Sequence, residues 1–244
     1  MPRGEPGLRR GAGHSGNYAF AWNGPPYRIS SDLIEIDNKK TYELKGFFKA
    51  DRPAISSGDL SGEALAKTDA LPAVVFGVLM YDAQKRHIKR WNVLPDKRTM
   101  TVLTAACESG NKTLKVKEAS AWKTGPLFVV AFGQKENEPN FDVSPLGIAE
   151  IKPEGDHWRI VLNEPCGLAF PTGTPVVENR AASHGIFLSG AITNEWTEIK
   201  GTIGPKQWWP GTKYVSIYIL PQRAGNTGTL LIDDLLLTLL KAAG

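Results

Sequence analysis

Tyr42-Glu43-Leu44-Lys45-Gly46-Phe47-Phe48-Lys49 decides the fold class. Tyr42, Leu44 and Phe48 share one face of an extended chain, and Glu43, Lys45 and Lys49 share the other. That period of two marks a half-buried antiparallel strand. Upstream lie the turn Asp37-Asn38-Lys39-Lys40 and the run Leu33-Ile34-Glu35-Ile36. Further upstream, Tyr18, Phe20 and Trp22 alternate with Ala19 and Ala21 before Gly24-Pro25-Pro26 ends the pattern. Downstream, Ala73 to Tyr81 is nearly continuously apolar and rich in Val and Phe, as in a central strand. Tyr214 to Leu220 sets Val215, Ile217 and Ile219 against Tyr214, Ser216 and Tyr218, and the Asn226-Thr227-Gly228 turn leads into Leu230 to Leu237. No fixed-period repeat and no sustained helical pattern occurs.

The 244 residues suffice for one large all-β domain or two small ones, and 41% hydrophobic content fills a core. With 25 Gly, 17 Pro and 7 Trp, the chain does not read as a helical bundle or a Rossmann enzyme. Twenty-nine Lys+Arg against 25 Asp+Glu leave a net charge of +4, too small and too evenly mixed for a dedicated nucleic-acid surface. No apolar run approaches the roughly 18 residues of a membrane span. Residues 1–11 read as a flexible lead-in, polar and Gly/Pro-rich, unlike a signal peptide or transit helix. Residues 51–71 form a long polar excursion, and the basic stretch around Trp91 reads as a solvated hairpin edge. At about Thr99 the strands become shorter: Thr113 to Lys117, Leu127 to Phe132, Ile148 to Ile151 and Trp158 to Leu162. A small β-rich subdomain is therefore expected at 99–183, inserted between 12–98 and 184–240.

Several stretches, in order, resemble the β-jelly-roll carbohydrate-binding modules that accompany polysaccharide-degrading enzymes. They are Gly13-His14-Ser15-Gly16-Asn17-Tyr18-Ala19, then Ile34 to Asp37 with Lys40-Thr41-Tyr42-Glu43-Leu44-Lys45-Gly46, then Trp196 to Thr202, and finally Leu231-Ile232-Asp233-Asp234-Leu235. The resemblance covers about 12–97 and 184–240. It implies an antiparallel β-sandwich of jelly-roll type that recognises polysaccharide without catalysis. It further implies a tethered glycoside hydrolase or lyase, an extracellular or periplasmic location, and a structural calcium. In that picture the first Asp of Asp233-Asp234 and backbone carbonyls, one near Lys40, hold the ion. The sequence departs from the family at its start: such modules open with a strand carrying Asn-Gly and a Glu well upstream, and here the only glutamate before Gly13 is the nearby Glu5. The central segment resembles a small β-barrel unit found in or beside such modules, through Thr113 to Val116, Ala119 to Trp122 and Pro171 to Val176.

A sugar is gripped by an aromatic plane beneath its C–H face and by hydrogen bonds at its hydroxyl rim. Trp122, Trp158 and Trp196 stand near strand starts, where core packing is the expectation. Trp22 and Trp91 flank turns, and Arg90 adjoins the second. Trp208-Trp209 lies in the loop Gly204 to Gly211. Trp22, Arg90, Trp91, Trp208 and Trp209 are thus the candidate carbohydrate contacts. Alternation sends the Asp233 and Asp234 carboxylates to opposite faces, so one requires compensation. A hard cation would supply it, as would a lysine or a turn. Asp233, Asp234 and Lys40 are the metal candidates.

Other chemistry is not indicated. Gly11 to Gly16 matches G-x-G-x-x-G in form, but an aromatic strand follows it rather than a helix. His14, His87, His157 and His184 have no ligand spacing and read as surface or turn residues. There is no G-x-S-x-G elbow. Cys107 and Cys166 form no C-x-x-C pair; one disulfide or two buried thiols remain open. Against the binding module stand two alternatives: a jelly-roll hydrolase or lyase with two acids in one cleft, and a structural adhesion or phage-tail module.

Overall fold

The computed structural model describes residues 7–22, 28–50, 54–56, 73–135, 137–181, 184–222 and 229–240. The chain divides into two compact units. The first is Met1–Met80, Gly185–Trp208 and Thr212–Gly244; the second is Tyr81–His184 with Trp209–Gly211. The second unit begins at Tyr81, earlier than the composition change at Thr99. The basic stretch is the reason. It folds as a short helical turn rather than a hairpin edge, with Trp91 buried against Val129 and Ala181.

In chain order the first part runs β1 (Gly7–Arg10), β2 (Tyr18–Trp22), β3 (Ile29–Ser30), β4 (Ile34–Glu35), β5 (Tyr42–Ala50), β6 (Ala54–Ser56) and β7 (Ala73–Tyr81). Then come β8 (His87–Ile88), α1 (Arg90–Val93), a 3-10 turn (Lys97–Thr99), β9 (Thr101–Val102), β10 (Thr113–Val116), β11 (Phe128–Phe132), β12 (Ile148–Glu154), β13 (His157–Leu162) and β14 (Pro175–Arg180). The chain returns through β15 (Gly185–Leu188), β16 (Ala191–Ile192), β17 (Thr197–Ile203), β18 (Tyr214–Gln222) and β19 (Leu230–Leu239).

The protein is all-β, and its first unit is an antiparallel β-sandwich. One sheet has the order β1-β2-β19-β5-β17; the other contains β16-β6-β7-β18-β3, with β15 beside β7 and β4 beside β18. β6 and β7 run parallel. The alternation that decides the fold class is kept throughout β5: Tyr42, Leu44, Gly46, Phe48 and Ala50 are buried, and the residues between them are half-buried. Across the sandwich Phe48 meets Phe76 of β7 edge-to-face, with ring centroids 4.9 Å apart. Gly46 sets how closely the layers approach, because a Cβ there would lie 2.7 Å from Leu235 Cδ2 and 3.1 Å from Phe76 Cζ. Burial of side chains such as Leu44, Phe48, Phe76 and Val78 contributes about 1.5–3 kcal/mol each.

The second unit has two three-stranded antiparallel sheets, β10-β13-β12 and β11-β14-β9. They enclose Leu103, Leu114, Val116, Trp122, Val130, Phe132, Ile148, Ile160 and Leu162. Phe170 stacks on Phe132 at 4.4 Å. Two side-chain bonds join the helical turn to this unit: Asn179 Nδ2 of β14 donates to the Trp91 carbonyl, and Asn92 Nδ2 of the turn donates to that of Asn140. Among the described residues, no helix is long and apolar enough to cross a membrane.

Candidate functional site

The aromatics singled out by their place near turns do not form a surface. Trp22, Trp91 and Trp208 are 1%, 9% and 6% exposed, so none presents a ring face to a sugar. Trp22 faces inward beside Leu230 and Ala50 in the strand register. Lys89 and His184 cover Trp91, the ammonium 4.8 Å above the ring and the imidazole edge-on at 5.5 Å. Trp208 folds back from its loop, where its Nε1–H donates to the Lys40 carbonyl at 3.1 Å and its ring meets Tyr42 edge-on. Trp209 is half-buried and Arg90 exposed. These residues are divided between the units: Trp22 and Trp208 in the first, Arg90, Trp91 and Trp209 in the second.

A different aromatic group occupies the outward face of the five-stranded sheet. On β5 the outward row is Glu43, Lys45, Phe47 and Lys49. Opposite Phe47 stand Glu198 on β17 and Asp233 on β19; opposite Lys45 stand Lys200 and Leu236. Phe47 is therefore an apolar ring between two carboxylate residues. His14 lies flat on it, with centroids 3.7 Å apart and planes 15° from parallel. Trp196, half-buried just ahead of β17, approaches His14 edge-on at 5.7 Å and 66°.

The loop between β1 and β2 delivers His14. Gly11 N–H donates to the Asn17 carbonyl at 2.6 Å and closes the loop. Gly13 must be glycine because a Cβ would overlap the Gly16 carbonyl oxygen. The tip is fastened to β19. His14 N–H donates to Asp233 Oδ2 at 2.8 Å, His14 Nδ1 bonds Asp234 Oδ2 at 2.8 Å, and Ser15 Oγ donates to Asp234 Oδ1 at 2.7 Å. A carboxylate only accepts, so the proton of this bond belongs to Nδ1 and Nε2 is left for another partner. Ser15 bonds the carboxylate rather than the imidazole, so the three residues do not form a nucleophilic triad.

A break in β19 brings both carboxylates to one loop. Asp234 takes φ 46, and the register jumps from Asp233 opposite Phe47 to Leu236 opposite Lys45. The expected division of Asp233 and Asp234 between opposite faces is thereby corrected: a bulge removes the alternation on which it rested. Calcium at this bulge would compete with hydrogen bonds already made. Asp233 Oδ1 accepts from Asp234 N–H, so all four carboxylate oxygens receive hydrogen bonds, and the Lys40 carbonyl is taken by Trp208. A hard cation would have to share these oxygens with the N–H and O–H donors that already reach them. Among the described residues, no cluster of three or more His, Cys, Asp or Glu is placed to hold a metal.

Two carboxylates at this face, Asp234 and Glu198, are favoured in their charged form. Hydrogen bonds from His14 and Ser15 lower the pKa of Asp234, and the Lys200 ammonium, 2.7 Å from Glu198, lowers that of Glu198. The second unit holds the opposite case: burial raises Glu178 on β14, while its side chain accepts from Lys123 N–H. Nearby Asp96 is held at about 2 by its hydrogen bond with Arg98. Neither acid lines the groove of about 430 Å³ beside Leu94 and Met100 or that of about 230 Å³ beside Arg86 and Phe141.

His14, Phe47 and Trp196 escape a reading by strand ends and turns. The sequence does carry one signal for them, since Phe47 occupies the charged register of its own strand.

No family model matches the chain, and no curated protein does. Among solved structures, the chain is similar to the CBM22-1 xylan-binding domain from Paenibacillus barcinonensis Xyn10C, with a TM-score of 0.36 and 9% identity over 100% of this chain and 85% of that one. So slight a likeness leaves the fold and the site resting on the strands and side chains described above.

Proposed function

We propose that the first unit is a noncatalytic carbohydrate-binding module whose ligand lies on the outward face of the five-stranded sheet. The observation that carries this reading is the aromatic corner of Trp196, His14 and Phe47 set into a row of charged side chains. A pyranose can rest its C–H face on Trp196 and turn its hydroxyl rim toward His14 Nε2, Glu198 and Lys200. Glu43, Glu198, Asp233 and Asp234 balance Arg9, Lys45, Lys49 and Lys200 on this face, which offers no cationic field to a polyanion. A neutral polysaccharide is the substrate class. The absence of catalysis is supported by the state of the face's acids: hydrolysis needs one carboxyl with a raised pKa, and both shifted acids there are lowered. Attached to a glycoside hydrolase or lyase outside the cell, such a module would raise the enzyme's effective concentration on its substrate.

Affinity electrophoresis against a panel of neutral and acidic polysaccharides tests the reading, with Trp196→Ala and Phe47→Ala beside the wild type. The wild type is expected to be retarded by at least one neutral polysaccharide. Each variant should lose about 1–3 kcal/mol, or roughly 5- to 150-fold in affinity, while still folding. Retardation by no polysaccharide, or unchanged retardation of both variants, would overturn it.

A further inference from the structure

The second unit contains two thiols that the binding reading does not use. Cys107 lies on the crossover from β9 to β10, and Cys166 on the crossover from β13 to β14. Each crossover links the unit's two sheets. The crossovers run side by side and are zipped by backbone hydrogen bonds. Cys107 and Phe170 exchange bonds at 2.9 and 2.8 Å, Gly110 N–H donates to the Cys166 carbonyl at 2.7 Å, and Cys166 N–H donates to that of Asn111 at 2.8 Å. Both side chains enter the same core, 2% and 0% exposed, among Leu103, Leu114 and Leu162. Cys107 Sγ is 3.7 Å from the Leu168 carbonyl oxygen, two residues beyond Cys166 on the facing crossover.

We propose that Cys107 and Cys166 are an oxidative modification site that forms one intramolecular disulfide, stapling the two crossovers when the chain folds in the presence of a small-molecule disulfide such as oxidised glutathione. One thiolate attacks a glutathione sulfur, giving a protein–glutathione disulfide and releasing one glutathione thiolate. The second cysteine's thiolate then attacks the protein sulfur of that bond, forming the cystine and releasing the second glutathione. Two protons leave the cysteines and two electrons pass to the glutathione disulfide, which becomes two thiols. The bond closes a loop of about 60 residues, long enough for a large restriction of the unfolded chain. Burial pushes the Cys107 thiol up to about 12, so in the folded, reduced chain it carries little thiolate, and both buried side chains are closed off from an oxidant. Exchange belongs to the folding chain, before the core closes.

The test refolds the full chain from denaturant, with reduced glutathione alone or with a mixture of reduced and oxidised glutathione. Free thiols are then counted in denaturant, intact mass is measured, and both products are melted. The expected product of the mixture is a monomer 2 Da lighter, with no free thiol, the same circular dichroism and a melting temperature higher by roughly 10 °C. Cys107→Ser with Cys166→Ser should melt at one temperature under both treatments. Two free thiols after refolding in the mixture, disulfide-linked dimers, or an oxidised monomer that melts below the reduced one would overturn the proposal. Polysaccharide retardation plays no part in these readouts, so this site and the binding face fail independently.

Discussion

The outward face of the five-stranded sheet and the interior of the second unit both hold aromatics and acids, and they treat them in opposite ways. On the face, Trp196 remains half-buried and Asp234 and Glu198 are surrounded by donors that favour their charge. In the interior, Trp122 is 7% exposed with its Nε1–H on the Thr99 carbonyl at 2.8 Å, and Glu178 loses enough water that one backbone donor does not restore its ordinary acidity. Desolvation and hydrogen bonding act on a carboxyl with opposite sign, and here each wins once. The difference separates an accessible face, where donors keep acids charged, from an interior where burial dominates.

The largest contrast lies in the tryptophans. Trp122→Ala empties a packed site and leaves the Thr99 carbonyl without its indole partner, which should cost about 3–5 kcal/mol in urea unfolding. Trp196→Ala should cost under about 1 kcal/mol, the scale of a surface truncation. Equal losses would erase the distinction between face and interior.

The next effect is at the fastening of the loop. Asp234→Ala removes the acceptor of both His14 and Ser15, and charge-assisted bonds of this kind are worth about 1–3 kcal/mol. The folded pKa of Asp234 lies below its ordinary 3.8. Its contribution is therefore complete above that value and is lost as pH falls through the lower folded one. Urea midpoints across the acid range should show this loss in the wild type and not in the variant.

These residues also mark how far the sequence could be read. The alternation in β5 is explicit, because each inward residue is apolar or glycine and the pleat leaves no other assignment. The same rule fails at Asp233-Asp234, where one residue at φ 46 shifts the register and no residue type in the strand announces it. Trp208 fails for another reason: a Gly/Pro-rich loop suggests exposure, while the bond to Lys40 that buries the indole joins residues remote in sequence. Phe47 was legible as an aromatic out of register among charges. His14 was not, since its place on Phe47 depends on where the β1–β2 loop folds.

A finer comparison sets Glu178 against Asp96. Glu178 is raised above 4.5, so folding favours its protonated form, and stability should fall as pH rises from 4.5 through the folded value and then level off. Glu178→Gln keeps an acceptor for Lys123 N–H and should remove that slope, gaining stability at neutral pH. Asp96 behaves in reverse. It is lowered from 3.8 to about 2, so its contribution is present above 3.8 and disappears as pH falls through about 2. Asp96→Asn should flatten that acid limb. Matching slopes for the two variants would contradict the assignment of burial to one acid and pairing to the other.

The smallest expected effect is none at all, and it tests whether the Asp233-Asp234 bulge is a metal centre or a hydrogen-bonded clasp. An ion bound only to the folded state stabilises it by RT ln(1 + [ion]/Kd), about 2.7 kcal/mol at a hundredfold excess over Kd, and a chelator removes that gain. A clasp made of His14 and Ser15 donors responds to neither calcium nor chelator. Melting curves in millimolar calcium and in excess chelator should therefore superimpose. Asp233→Ala sharpens the distinction, because in a clasp it strands the His14 and Asp234 N–H groups and lowers stability equally in both buffers. In a metal centre the variant would lower stability in calcium alone, and the chelator would bring the wild type down to meet it.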